Sequence, residues 1–396
     1  LQVEYVRYVN DDNGNLQLET YLMGGGDVDL FIGYGGRTKM DKRVDSNLLL
    51  DMSGMLNDIG FNLDDELGVA NMAEYHYDDG AVYGFPTKYE NSRWILINED
   101  MFKEAGLDIP YDGWTYSEFL ADAEKLTHGE GQDKVYGVCW ARKQSGKSIL
   151  YALDGVLGAN QIYKNEEGTE VNFDNDVYRA GLNLVKETLD KGYAIPIEDE
   201  FSEDISVANT FLQGKCAIML GVAQMRLCMD QENYPHDFMT ALVPAPVPDD
   251  EKYNTEFYRK QIGTTGAGDL LSISANTKYP EASFEFAMWY LKGGMSPLVQ
   301  GGRIPLWNGV NKDEVLSVLK EKAQGSIDMD SMENYLSLDT TQGVAAIKGN
   351  ASSEISSAWF EEFDAMCYGK QSVDQTVQNM EKRGNELIQT ELSSQK

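Results

Sequence analysis

The chain has 396 residues, with 65 acidic side chains against 33 basic ones and a net charge of −32 at pH 7. A surface this acidic repels nucleic-acid phosphates and anionic lipid head groups, so neither is an expected partner. The length is too great for one ordinary core and predicts two domains. No apolar run approaches the ~18 residues that would span a membrane.

Strand-like and helix-like segments alternate along the chain, which is typical of an α/β architecture with sheets covered by helices. The first segments predict, in order, a strand over residues 3–9, a helix over 16–23 and a strand over 28–32. Further along, Asp78-Asp79-Gly80 lies between two short strand-like segments. This turn sequence predicts a β-hairpin.

Residues 83–119, YGFPTKYENSRWILINEDMFKEAGLDIPYDGWTYSEF, predict a strand followed by two capped helices. Residues 94–97 are apolar and partly β-branched, as in a buried strand. Asn98 is placed to cap the next helix, and Gly106 stands where a left-handed residue would end it. Residues 115–118, TYSE, read as a capping box that opens the second helix near Tyr116.

The rest of the chain continues this alternation. The predicted helices cover 177–189, 206–212, 281–291 and 373–388, and the predicted strands cover 135–138, 216–220, 238–243 and 270–274. Residues 281–291 are so rich in Ala, Phe, Trp and Tyr that we expect this helix to be largely buried.

The chain has four widely spaced cysteines, and no two of them form a CxxC pair. Neither a thioredoxin-like motif nor a metal site is therefore supported. The cysteines are Cys139, Cys216, Cys228 and Cys367. We expect buried free thiols among them. A disulfide between some of them stays open, because sequence spacing does not show which sulfur atoms are close in space.

The motifs of nucleotide, metal and hydrolase sites are incomplete. Residues 145–148, SGKS, resemble the end of a phosphate-binding loop, but Ala141 replaces its first glycine. Residues 263–268, GTTGAG, lead into a strand rather than a helix, which favours a connection over a dinucleotide site. The oxygen-rich residues 11–15 lack the EF-hand order and indicate a turn. The three histidines are isolated. We therefore predict no catalytic residue, no metal and no cofactor.

Four segments carry a resemblance that spans most of the chain. They are GGGDVDLFIG (24–33), residues 82–119, FLQGKCAIMLG (211–221) and GAGDLLSISANTKYPEASFEFAMWYL (266–291). Their order and spacing resemble the extracellular solute-binding proteins of family 1, the carbohydrate receptors of ABC importers. The resemblance implies an α/β, two-lobed, periplasmic-binding-protein-like (type II) fold with interleaved domains and a hinge.

In such a fold, residues 1–90 and 267–302 would form the N-terminal lobe, and residues 91–266 and 303–396 the C-terminal lobe. Family members carry a signal, a strand and a helix before a segment like 3–9, so we expect that first strand and helix to be missing here. The resemblance further implies an extracellular or periplasmic monomer, lipid-anchored to the bacterial membrane through an N-terminal segment absent from this chain.

The implied function is capture of a carbohydrate, an oligosaccharide in our interpretation, in the cleft between lobes that close on it, followed by delivery to the ABC permease. No enzyme activity is implied. A polyamine or glycerol phosphate, carried by related receptors, is an alternative ligand. A glycoside hydrolase is a further alternative, and it would need two carboxylates about 5 to 9.5 Å apart in a cleft.

Sugar recognition requires flat aromatic faces for the ring and charged or amide groups for its hydroxyls. Positions that follow predicted strands or lie at the crossovers supply the candidates for ligand binding. They are Tyr34, Arg37, Glu90, Asn91, Arg93, Trp140, Arg142, Gln224, Arg303, Trp307, Glu354 and Trp359. For the aromatic members the alternative is packing, and for Arg37 and Arg303 it is a surface salt bridge.

Overall fold

The computed structural model describes most of the chain and divides it into two units. The described residues are 2–7, 12–72, 75–89, 94–140, 142, 163–165, 167–202, 207–220, 224–260, 269–294, 296–338 and 351–394. The first unit comprises Leu1–Glu90, Thr265–Val315 and Thr340–Ala345, and the second comprises Asn91–Thr264, Leu316–Asp339 and Ala346–Lys396. The sequence had suggested divisions after residues 90, 266 and 302.

The regular elements are numbered in chain order. The strands are β1 (Leu30–Gly33), β2 (Phe85–Pro86), β3 (Lys88–Tyr89), β4 (Trp94–Asn98), β5 (Tyr136–Cys139), β6 (Cys216–Leu220), β7 (Thr240–Pro244), β8 (Leu270–Ile273) and β9 (Ile304–Pro305). The helices are α1 (Asp12–Met23), α2 (Gly36–Asp45), α3 (Ser53–Asp58), α4 (Leu63–Leu67), α5 (Val69–Met72), α6 (Glu99–Glu104), α7 (Tyr116–Leu126), α8 (Asp176–Asp190), α9 (Ile197–Ser202), α10 (Val207–Leu212), α11 (Met225–Cys228), α12 (Glu256–Lys260), α13 (Pro280–Trp289), α14 (Ser296–Val299), α15 (Lys312–Ala323), α16 (Met329–Ser337), α17 (Ser352–Cys367) and α18 (Val373–Ser394).

The first unit contains a three-stranded sheet of order β1-β8-β2. The central strand β8 is antiparallel to both neighbours, with Gly33 and Pro86 both opposite Leu270. The carboxyl ends of β1 and β2 therefore meet the start of β8 at one edge of the sheet. A second ladder begins next to this edge, where Lys88 of β3 lies opposite Pro305 of β9.

The second unit contains a four-stranded sheet of order β5-β6-β4-β7, in which β5 and β6 are parallel and the other pairs antiparallel. Every residue of β4, β6 and β7 is buried. Strands buried on both faces carry continuous apolar runs, as these do. The core around them includes Phe102, Phe119 and Phe363, none of which is exposed.

The caps predicted for residues 98–118 are confirmed. The Asn98 side chain accepts a hydrogen bond from the Met101 amide at 3.1 Å at the start of α6. Thr115 Oγ1 accepts from the Glu118 amide at 3.3 Å, and Glu118 Oε2 accepts from the Thr115 amide at 2.8 Å, which completes the capping box of α7. Gly106 has a φ of +67°, as a helix stop requires.

Three local predictions are wrong for the described residues. Residues 3–7 form no strand. The turn at Asp78 and Asp79 is present, but β2 pairs with the distant strand β8 rather than forming a hairpin, because its residue Phe85 is fully buried there. Helix α13 exposes 56% of Trp289, since composition does not show which helix face is covered.

The cysteines include both states that the sequence left open. Cys139 and Cys216, on neighbouring strands, form a disulfide with Cα atoms 6.3 Å apart. Cys228 is a buried free thiol, and Cys367 is a partly buried one. Burial raises the pKa of Cys228 to about 12, so this thiol is not poised for nucleophilic chemistry.

The described ranges lack two kinds of feature. Their helices include none that is both long and apolar enough to cross a membrane. They also contain no group of three or more His, Cys, Asp or Glu side chains placed to hold a metal ion.

Candidate functional site

Polar side chains gather at the sheet edge of the first unit where strands begin and end. Tyr34 follows the last residue of β1, and Asp269 precedes the first residue of β8. Lys88 opens β3, and Arg303 precedes β9. The strand register brings these four positions together. The ends of β1 and β2 lie opposite the start of β8, and β3 follows β2 after one residue. With Tyr290, they are called the strand-end cluster below.

Lys88 and Asp269, both members of this cluster, form an ion pair. Lys88 Nζ lies 2.7 Å from Asp269 Oδ2, and the two side chains are 13% and 23% exposed. Limited exposure weakens screening by water and salt, so each charge acts strongly on its neighbours. The pair remains accessible enough to exchange part of its contacts for a bound molecule.

The two tyrosines lie within electrostatic reach of the charged members. Burial raises the pKa of Tyr34, and the charge of Asp269 adds to this, while Arg303 and Lys88 oppose it. Burial likewise raises the pKa of Tyr290, with Arg303 opposing it. Both phenols therefore remain protonated at neutral pH and can donate as well as accept hydrogen bonds.

The cluster combines groups with complementary hydrogen-bonding roles. Lys88 and Arg303 donate, Asp269 accepts, and each phenol does both. Bonds that involve a charged partner contribute about 1.5 to 3 kcal/mol, roughly twice the value of neutral ones. Such a set suits a ligand with many hydroxyl groups, each of which donates one hydrogen bond and accepts others.

Trp307 lies in the same unit, two residues beyond β9. Its indole Nε1 donates to Glu66 Oε2 of α4 at 2.7 Å, and its side chain is partly buried. The sequence prediction singled out Trp307 as an aromatic surface for a ligand. The hydrogen bond restricts the orientation of the ring, which suits a stacking surface.

Arg37 is engaged by neighbours on α2 and in the 76–77 segment. Its Nε lies 2.6 Å from Asp41 Oδ1, and its Nη1 donates to the His76 carbonyl at 2.9 Å. Its guanidinium also covers the Tyr77 ring, with Cζ 3.8 Å from the ring centroid. These contacts match the salt-bridge alternative that the sequence left open for this arginine.

The family of bacterial extracellular solute-binding proteins matches residues 2–292 of the chain. The chain belongs to this family. Its members are extracellular proteins that bind solutes, and this agrees with the predicted class and location.

Solved structures of low sequence identity share the fold of this solute-binding protein. A sugar transporter from Rhizobium etli in an open conformation is 19% identical, with a TM-score of 0.70 over 96% of this chain and 89% of that one. An ABC substrate-binding protein from Listeria monocytogenes in complex with cycloalternan is 18% identical, with a TM-score of 0.66 over 96% and 90%. UgpB from Mycobacterium tuberculosis in complex with glycerophosphocholine is 17% identical, with a TM-score of 0.69 over 100% and 91%. The predicted two-lobed type II fold is confirmed.

In the second unit of the solute-binding protein, two candidate tryptophans lie in the core. Trp140 is 3% exposed, donates from Nε1 to Thr188 Oγ1 at 2.8 Å, and has its ring centroid 5.7 Å from that of Phe119. Trp359 is 2% exposed and stacks on Phe363 at 4.8 Å. Both positions correspond to the packing alternative.

The polar candidates of the second unit lie on three separate segments of the chain. Arg142 is held by Asp364, with Nε to Oδ1 at 2.6 Å and Nη2 to Oδ2 at 2.8 Å. Gln224 is the residue before α11, and Glu354 is exposed on the first turn of α17.

Glu90, Asn91 and Arg93 lie outside the described residues and stay predictions. Of the remaining candidates, the structure brings Tyr34 and Arg303 together and adds three residues that sequence reasoning missed: Lys88, Asp269 and Tyr290. The sequence contains an indication for two of these three residues. Lys88 and Asp269 flank strands just as Tyr34 does, whereas Tyr290 is reached only through the fold of α13.

Proposed function

We propose that this chain captures a carbohydrate, an oligosaccharide, and delivers it to the permease of an ABC importer. The observation that carries the proposal is the strand-end cluster, in which an ion pair, an arginine and two phenols share one sheet edge of a solute-binding protein. Charged donors and acceptors beside aromatic rings are the chemistry that binds sugar hydroxyls and ring faces.

The charges of the cluster favour a neutral ligand over the alternatives. Lys88 and Arg303 are positive and Asp269 is negative, so a ligand at the cluster meets both signs of charge. A polyamine would be repelled by Lys88 and Arg303, and a phosphate would be repelled by Asp269. A sugar hydroxyl donates to the carboxylate and accepts from either cation, so it uses every charged group in the cluster.

The structural relatives support the same ligand class. The Rhizobium etli protein is described as a sugar transporter, and the Listeria protein was solved with a cyclic oligosaccharide. The Mycobacterium relative, with glycerophosphocholine bound, keeps a glycerol phosphodiester as the second candidate.

The remaining parts of the proposal follow from this role. A binding protein releases its ligand unchanged, so we propose no bond chemistry. We further propose that the protein acts as a monomer, with the permease as its protein partner, and that a lipid anchor holds it at the bacterial membrane.

A thermal-shift screen tests the ligand class. The panel contains maltotriose, cellotriose, xylotriose, chitotriose, glycerophosphocholine and spermidine. A ligand at 100 times its dissociation constant adds about 2.7 kcal/mol of stability, which raises the melting temperature by several degrees. We expect at least one trisaccharide to do so, with unchanged sugar recovered after long incubation.

Three other outcomes would contradict the proposal and favour another function. A shift with glycerophosphocholine alone would favour the phosphodiester, a shift with spermidine alone would favour a polyamine, and shortened sugars would indicate a hydrolase. Lys88→Met should reduce the shift with the trisaccharide to about half or less. The matched control is Lys278→Met, an exposed lysine of the same unit, which should leave the shift unchanged.

A further inference from the structure

The indole of Trp307 makes two contacts within the first unit. Its Nε1 donates to Glu66 Oε2 at 2.7 Å. Its six-membered ring lies against the backbone of Gly309. A Cβ atom at that position would come within 2.2 Å of Trp307 Cζ2 and 2.5 Å of Cη2. No side chain fits there without displacing the ring, because real Cβ contacts are never so short.

The turn that carries Trp307 is also fastened to α4. The Asn308 amide donates to the Glu66 carbonyl at 2.9 Å, and Asn308 Nδ2 donates to the Asp65 carbonyl at 3.0 Å. The last carbonyls of a helix lack partners within it, so these bonds satisfy groups that would otherwise require water. Helix α4 thus holds both the backbone of the turn and the ring of its tryptophan.

The extended segment that ends at Trp307 begins at Arg303 of the strand-end cluster. Between them, residues 304–306 are buried, whereas Arg303 and Trp307 are both partly accessible. The Leu306 amide continues the ladder by donating to the Thr87 carbonyl at 3.0 Å. Four residues of extended chain span about 13 Å. This distance suits a short oligosaccharide better than a single sugar ring.

We propose that Glu66 and Gly309 are positioning residues that orient Trp307 as a preset stacking surface for a sugar ring of the same ligand that the strand-end cluster binds. The inference rests on the proposed carbohydrate function. The indole donor is already occupied by Glu66, so the ring offers its apolar face rather than a hydrogen bond. Fixing the ring in advance lowers the entropy lost when a ligand binds.

The test compares substitutions at the three positions by calorimetric titration with the trisaccharide that gives the largest thermal shift. Trp307→Ala should weaken binding about tenfold, since an aromatic stack is lost. Glu66→Ala should also weaken binding, but by a smaller factor than Trp307→Ala. Glu66→Gln keeps an oxygen that accepts from the indole and should restore wild-type affinity. Gly309→Ala should displace the ring and weaken binding as Trp307→Ala does.

Matched controls separate positioning from general effects of substitution. Glu281 is an exposed glutamate of the same unit, and Glu281→Ala should leave affinity unchanged. Gly54 has open space around its Cβ position, and Gly54→Ala should also bind normally. Glu66→Ala and Glu66→Gln leave the backbone untouched, so this pair tests the inference even where Gly309→Ala lowers stability.

A double variant gives the sharpest outcome. If Glu66 acts through the ring, Glu66→Ala added to Trp307→Ala should produce no further loss of affinity. Wild-type affinity in Trp307→Ala, or an equal loss from Glu66→Ala with and without the tryptophan, would overturn the inference while the carbohydrate function stands. Absence of trisaccharide binding by the wild-type protein would instead overturn the proposed function itself.

Discussion

Lys88 and Asp269 form an ion pair, with Nζ 2.7 Å from Oδ2, although one precedes and the other follows the whole stretch from Asn91 to Thr264 in sequence. The pair therefore joins two segments of the chain that come together only when the first unit is assembled. It also supplies one donor and one acceptor to the strand-end cluster.

The first prediction concerns these two side chains. Lys88→Met and Asp269→Asn should each weaken trisaccharide binding by about 10- to 100-fold, because each removes a charged group that can hydrogen-bond to the ligand and breaks the ion pair that orients the other. Isothermal titration measures the dissociation constants, and Lys278→Met is the control. Wild-type affinity in both variants would exclude the cluster as the ligand site.

The second prediction concerns Arg142 and Asp364. Arg142 is 14% exposed, forms two hydrogen bonds to Asp364, and lies over the Phe360 ring at 4.3 Å. We expect Arg142→Met to lower the free energy of unfolding by about 1 to 3 kcal/mol in urea titrations, with ligand affinity unchanged.

The control for this prediction is Lys382→Met. Lys382 is 76% exposed and lies 3.9 Å from Glu386, so its loss should cost at most about 0.5 kcal/mol. Weaker ligand binding by Arg142→Met at unchanged stability would assign Arg142 to the ligand instead, as the sequence prediction has it.

The third prediction concerns the capping box of α7. Thr115→Ala removes the acceptor for the Glu118 amide and should lower the free energy of unfolding by about 1 kcal/mol. Thr115→Ser keeps the hydroxyl and should retain most of the stability that the cap contributes. As a control, Thr390→Ala changes an exposed threonine within α18 and should have little effect. Equal stability of the two alanine variants would contradict the role of the cap.

The fourth prediction concerns Gly137 on β5. A Cβ atom there would lie 2.2 Å from the Ala123 carbonyl oxygen and 2.7 Å from its Cα on α7. Backbone cannot yield as a flexible side chain can, so Gly137→Ala should destabilise the second unit by about 3 kcal/mol or more. Gly54→Ala, in open space on α3, should be neutral or slightly stabilising. Urea unfolding of both variants measures the contrast.

The fifth prediction concerns pH. Burial alone would raise the pKa of Glu362, but hydrogen bonds from Arg383, Asn379 and Gln371 outweigh it and lower that pKa. A lowered pKa contributes stability that is present above the usual glutamate value of about 4.3 and is lost as the pH falls through the folded-state value.

Glu362→Gln should therefore destabilise the protein at pH 7, and the difference from wild type should shrink as the pH falls below about 4.3. Denaturant titration at a series of pH values measures this difference. The neighbouring Glu361 is 68% exposed, so Glu361→Gln is a control that should cost less stability at pH 7. A difference between Glu362→Gln and wild type that stays constant with pH would contradict the shifted pKa.

The sequence predicted features that depend on neighbouring residues. Asn98, Gly106 and the Thr115 capping box act within a few residues, so their patterns carry over to the structure directly. The predicted hairpin around Asp79 is wrong, because Phe85 is buried by pairing with β8 instead. Residues near Asp79 give no indication of a partner strand almost 200 positions away.

The candidate site shows the same limit. Tyr34 and Arg303 were recognised from their positions beside strands, but joining them to Lys88 and Asp269 required the register of β8 between β1 and β2. Trp140 also follows a strand, yet its ring packs on Phe119, because position alone does not tell which face of a strand points to the core.

The place of β8 in its sheet has a consequence for biosynthesis. During translation, β1 and β2 leave the ribosome long before the strand that must lie between them, whereas β4 to β7 are complete by Pro244. The four-stranded sheet of the second unit can therefore form before the sheet of the first unit. Strands β1 and β2 keep unpaired edges until β8 (Leu270–Ile273) has been synthesised. A nascent chain halted before this strand would expose two edges open to aggregation, and it would be a natural client for a chaperone.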